Sequence, residues 1–140
     1  MSGKVNIGCD MSKQTLDFYC MESKEQSQLE NSQKGLQRLS KWMSHHQYDL
    51  SSVQIAFELT GMYGVRIRKL CEQEYIAHYS IPGLEIKKSM GISRGKNDAL
   101  DSKRIAEYLQ EKSYKLTADK NRNETIEQLK AMDSLREKLV

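Results

Sequence analysis

The 140-residue chain has no apolar run near the roughly 18 residues that suggest a membrane span, so no membrane role is expected. Its opening, Met-Ser-Gly-Lys-Val-Asn-Ile-Gly, passes straight into a strand-like alternation and lacks the shape of a signal peptide. Three cysteines (Cys9, Cys20, Cys71) form no Cys-x-x-Cys pair and leave an odd one over. That predicts reduced thiols in a cytoplasmic protein rather than a disulfide framework. Gly61-Met62-Tyr63-Gly64 lacks the Lys-Ser/Thr of a phosphate-binding loop, which excludes that kind of nucleotide site. His45 and His46, as neighbours on a helix, diverge, and no third ligand has suitable spacing. Internal repeats and low-complexity linkers are also absent. What is left is a chain of a length that suits one domain with a real core.

Charge is present, and its placement is informative. The formal net charge is +3, and between Pro82 and Arg104 six basic residues stand against three acids, which accounts for the whole excess. A basic rim around acids suits a polyanion approaching a metal, and equally describes a solvated charged loop.

Alternation predicts a strand over Lys4–Cys9 ending at Asp10, and a second over Gln14–Met21 after a short turn at Ser12-Lys13-Gln14. A more polar third strand, Glu25–Glu30, completes a meander and suits an edge. Asn31 or Ser32 caps a helix running to about His45, with Leu36, Leu39, Trp42 and Met43 as its apolar stripe. A strand over Val53–Glu58, a helix over Tyr63–Glu74 and a strand over Tyr75–Ile81 follow, the last ended by Pro82-Gly83. A mobile basic stretch with Gly91, Arg94 and Gly95 is expected next. It leads into a helix from Asp98 to about Lys112 and an amphipathic helix over Glu124–Val140. The order βββ-α-β-α-β-α is that of the ribonuclease H-like α/β fold: a mixed sheet with flanking helices.

Four acids stand out in this order: Asp10, Glu58, Asp98 and Asp101. They lie in Ile-Gly-Cys-Asp-Met-Ser-Lys (7–13), Phe-Glu-Leu-Thr-Gly (57–61) and Gly-Lys-Asn-Asp-Ala-Leu-Asp (95–101). Carboxylates gathered from distant segments repel one another and resist desolvation unless a cation holds them. Mg²⁺ favours a few carboxylates plus phosphate oxygens. Asp98 and Asp101, three apart, fall on one helix face that continues through Ile105, Tyr108 and Leu109. Aspartate at a helix start also serves as a cap, and Asp10 before Ser12-Lys13 also suits a turn. Glu58, ending an apolar strand, needs a cation, a donor or water.

On these segments the chain resembles the N-terminal domain of the DEDD transposases of bacterial insertion sequences, the family that includes the Piv-type DNA invertases. Asp10 matches the acid of the family's Gly-x-Asp-x-Ser-Lys segment, Glu58 that of Glu-x-Thr-Gly, and Asp98 and Asp101 those of Lys-x-Asp-x-x-Asp. The resemblance covers nearly the whole chain. It implies a RuvC-like variant of the fold and cleavage and rejoining of DNA, dependent on two Mg²⁺ (or Mn²⁺) ions held by the four acids. In part of the family it also implies recognition of a guide ("bridge") RNA. A serine nucleophile is implied in a second domain beyond this chain, so that residues 1–118 form the catalytic domain. Residues 119–140 then begin a helical connection through which homo-oligomers form. Lys87, Lys88, Arg94 and Lys96 are the expected nucleic-acid contacts, with Arg66, Arg68 and Lys69 as an extension. Two other classes stay open: an actin-like sugar kinase or ATPase fragment, which shares the Asp-x-x-Ser-like opening, and a non-catalytic nucleic-acid-binding module.

Overall fold

Residues 4–59, 61–89 and 101–119 are described by the computed structural model. Its first hairpin turns on Ser12: the backbone N–H donates to the Thr15 carbonyl at 2.9 Å, and the hydroxyl accepts from Thr15 N–H at 3.1 Å. Strand β1 (Val5–Met11) and β2 (Thr15–Cys20) are thereby held antiparallel, and β3 (Glu25–Glu30) extends the meander as an edge strand. Ser32 caps α1 (Gln33–His45), its side chain accepting from Gly35 N–H at 3.2 Å. Strand β4 (Val53–Glu58), α2 (Val65–Glu74) and β5 (Ala77–Ile81) follow, with β1, β4 and β5 parallel. The order β3-β2-β1-β4-β5 is the mixed sheet expected of the ribonuclease H-like α/β fold.

Because side chains alternate along a strand, the sheet has two distinct faces. Ile7, Cys9, Leu16, Phe18, Ile55 and Phe57 are buried in one cluster with Leu36, Leu39 and Met43 of α1 and Ile67 and Cys71 of α2. On the other face Ala56, Tyr79 and Ile81 meet Ile86 of α3 (Gly83–Ser89) and Ile105 and Leu109 of α4 (Ser102–Lys112). Gly8 lets α4 lie directly on β1: a Cβ there would collide with the Ser102 carbonyl and the Ala106 nitrogen. After α4 the chain returns to the open edge of β5, where Asp119 N–H donates to the His78 carbonyl at 2.7 Å.

Two expectations are corrected. The basic stretch after Pro82 is helical at its start, as α3, because Ile86 finds a buried seat beside Ile81. The helix expected from Asp98 begins at Ser102, with Asp101 as its cap rather than on its buried face. Gly91, Arg94 and Gly95, and the helix expected over 124–140, lie outside the described residues. No helix among the described residues is long and apolar enough to cross a membrane.

Candidate catalytic site

The carboxyl ends of β1 and β4, neighbours in the sheet, open on the same edge. Their pairing runs from Val5–Val53 to Cys9–Phe57, and one step further along are Asp10 and Glu58. Asp10 shares the face of Gly8, and Glu58 that of Ala56, so both acids stand on the α4 side of the sheet. Ser102 sits against Gly8, which brings Asp101, one residue earlier, to the same end of β1.

The proximity is visible in the acidity of Asp10. Its half-buried carboxyl is pushed above the ordinary carboxylate value, first by burial and then by the negative charges of Asp17, Glu58 and Asp101. Asp101 is exposed, and one oxygen accepts from Arg104 N–H at 2.8 Å, the capping role that its position at a helix start also suits. Glu58 leans over the start of α3: a Cβ on Gly83 would strike its Oε1 and lie 3.0 Å from its Cδ. Gly83 therefore leaves the space that the Glu58 carboxylate occupies.

Asp17 escaped the motif reading. It is the direct partner of Asp10 across the hairpin. The available signal is the two-residue turn between Ser12 and Thr15, which sets that register. Alternation marks Asp17 only as a residue facing away from Leu16 and Phe18.

As placed, no group of three or more His, Cys, Asp or Glu side chains among the described residues is close enough to hold a metal ion. The donor chemistry nevertheless suits a divalent cation. Among the described residues the charges that act on Asp10 are the carboxylates of Asp17, Glu58 and Asp101, and its raised pKa, due first to burial, includes a repulsion that such a cation relieves. Asp98, the fourth acid of the expected set, lies outside the described residues, as do Arg94 and Lys96. Lys87 and Lys88 are in the last turn of α3, the helix that begins beside Glu58.

Arg68 does not extend that basic surface. Its guanidinium lies 5.5 Å over the Phe57 ring and donates to Ser80 Oγ at 2.8 Å, which turns it inward on the α2 side. Arg66 and Lys69 line a cleft of about 340 Å³ between α1 and α2, across the sheet from Asp10. Ser12 is taken up by the hairpin turn. Burial pushes the Cys9 and Cys71 thiols far up, so both stay protonated and are poor nucleophiles.

The chain is 29% identical over 129 residues to the pilin gene-inverting protein of Moraxella bovis, an alignment covering 86% of this chain and 39% of that protein. The chain thus spans well under half the length of that relative. The model of the IS110-type DEDD family, described as a transposase family, matches residues 7–140. A match over nearly the entire chain, on a sheet of the corresponding order, places this protein in the IS110-type DEDD transposase family.

Proposed function

We propose that this chain is the catalytic N-terminal domain of a DNA transposase or recombinase, one that cuts and rejoins phosphodiesters with the help of Mg²⁺ or Mn²⁺. The observation that carries it is the placement of Asp10 and Glu58 at adjoining strand ends, on one face, beside Asp101. The likeness to a protein named for gene inversion supports DNA as the substrate. A bound pair of divalent cations would polarise the scissile phosphate and favour both its attacking and its leaving oxygens.

The chain's own residues would do the holding. Asp10, central between Glu58 and Asp101, is the natural shared ligand. Glu58 has its carboxylate oriented by the gap at Gly83. Asp101 keeps one oxygen on the α4 backbone and offers the other. Asp98 is the fourth acid in this scheme, and Lys87, Lys88, Arg94 and Lys96 contact the nucleic-acid backbone, DNA or a guide RNA. Residues 1–118 form the catalytic unit, and 119–140 begin a connection to the serine-bearing part and to a second copy of the protein.

The test is plasmid nicking by the 140-residue chain with Mn²⁺. Weak nicking is expected, with no strand exchange, and Asp10→Asn or Glu58→Gln should remove it while circular dichroism stays unchanged. Nicking that survives both substitutions would refute the site. DNA binding without any metal-dependent cleavage would instead favour a non-catalytic binding module, the reading that the capping role of Asp101 supports.

A further inference from the structure

The β1–β4 ladder ends at Cys9–Phe57, so Asp10 and Glu58 stand one step past the last pair that joins their strands. Backbone pairing holds each acid from its outer side instead, Asp10 by Asp17 of β2 and Glu58 by Ile81 of β5. Neighbouring strands twist by about 20–25° relative to one another, and like charges repel, so strand ends beyond a ladder tend to part. What crosses the gap between these two is a side chain from a third segment.

That side chain is Asn31. Ser32 supplies the cap of α1, which leaves the amide of its neighbour available for another task. Asn31 is only 6% exposed. Its Nδ2 donates to the Ser12 carbonyl at 2.8 Å and to the Tyr63 carbonyl at 3.1 Å. Ser12 belongs to the turn that follows Asp10 and Met11, and Tyr63 to the single turn Gly61–Gly64 that leads from Glu58 into α2. Asn31 is itself anchored, because its backbone N–H donates to the Gln14 carbonyl at 2.9 Å. Both side-chain contacts are to carbonyl oxygens, so the amide nitrogen must face them. Oδ1 is left buried with no partner among the described residues. A buried acceptor without a partner is destabilising, so the two donated bonds, and not burial of the amide, are what favour asparagine here. The same two segments also meet through Met11, whose Cε would lie 3.4 Å from a Cβ on Gly64.

We propose that Asn31 is a positioning residue for the candidate catalytic site: its amide ties the turn after Asp10 to the turn after Glu58 and so fixes how far apart the two acids stand. This rests on the reading of Asp10 and Glu58 as a catalytic pair. Asn31 acts through the backbone that carries the acids rather than on the substrate. Alanine at this position would release both carbonyls. Aspartate, of the same shape, would set a carboxylate oxygen against them.

Two measurements on the 140-residue chain test this together. One is plasmid nicking with Mn²⁺, compared at equal folded fraction by circular dichroism. The other is pulsed electron paramagnetic resonance between spin labels on Lys13→Cys and Val65→Cys, exposed positions on either side of the tie; the three native cysteines are buried. Asn31→Ala should lengthen or broaden the label separation and slow nicking at least about tenfold, since a misplacement of about 1 Å can cost about a hundredfold. Ser32→Ala removes the adjacent helix cap and should lower the melting temperature, yet keep the parent separation and nicking within about twofold. Asn31→Ser, which keeps a single donor, takes the place of Asn31→Ala if the latter does not fold, and the same outcomes apply to it. If Asn31→Ala behaves like Ser32→Ala while Asp10→Asn abolishes nicking, the tie is merely structural and the proposal falls alone. A change in separation without a loss of nicking, or the reverse, also overturns it. If Asp10→Asn nicks as the parent does, or neither nicks, the catalytic reading fails and this assignment fails with it.

Discussion

A methyl group added at Gly8 and one added at Gly83 meet different obstacles, and the contrast separates folding from function. At Gly8 the new carbon would meet backbone atoms of Ser102 and Ala106, which belong to a packed helix and cannot step aside cheaply. Overpacking of this kind costs about 2–3 kcal/mol, so urea denaturation of Gly8→Ala should show a clear loss of stability. At Gly83 the obstacle is the end of the Glu58 side chain, which can rotate. Gly83→Ala should keep its stability within about 1 kcal/mol of the parent, yet lose Mn²⁺-dependent nicking because the carboxylate has been moved. Equal loss of stability in the two variants would show that the space at Gly83 serves packing and not the site.

At the scale of elements, the β1–β2 hairpin combines a strong fold determinant with a weak one. Its hydrophobic face is buried against α1, while its other face opposes Asp10 with Asp17. The sign of the resulting pH dependence follows from the raised pKa of Asp10, caused first by burial and then by the neighbouring carboxylates. In the folded state Asp10 holds its proton more tightly than in the unfolded chain, so stability falls as pH rises through the interval between the two values. The penalty is absent below the ordinary aspartate range and complete above the folded value. In a metal-free buffer, Asp10→Asn should therefore melt above the parent at pH 7, and that advantage should shrink as the pH is lowered toward 4. The half-exposed position limits the gain to less than about 1 kcal/mol. An advantage that grows on acidification would contradict the repulsion.

For the whole molecule, the sheet separates two surfaces with different prospects for a polyanion. Lys87 and Lys88 lie on α3, on the acid-bearing side, whereas Arg66 and Lys69 line the cleft on the far side and Arg68 is turned inward. Contacts to phosphates release counterions, giving a slope of about −0.7 to −0.9 per contact in a plot of log affinity against log salt. Replacing Lys87, Lys88, Arg94 and Lys96 by glutamine should weaken nucleic-acid binding and flatten that slope. The same replacement at Lys112 and Lys115, at the far end of α4, should do much less. Equal effects would mean that overall charge governs binding, and the proposed groove would be abandoned.

Most of the architecture was determined locally by the sequence. Alternation along β1, β2 and β4, the Ser32 cap and the stripe of Leu36, Leu39 and Met43 each report burial on one side of one element, and one element is what a short window can see. Helix α3 was invisible because it is a single short helix with one buried anchor, Ile86, too little for a period to show. The start of α4 was misplaced because an aspartate three residues from another reads equally as a helix face and as a cap. Only the packing of α4 on Gly8 decided for the cap. The nearness of Asp10 to Glu58 was implied by motifs but realised by parallel strand register. The pairing of Asp10 with Asp17 follows from the short turn after Ser12, whereas the inward turn of Arg68 was decided by tertiary structure alone. The physical reason is common to these cases: local pattern determines which side of an element is apolar, whereas the identity of the neighbour depends on register and on which helix packs there, and both are properties of the assembled sheet.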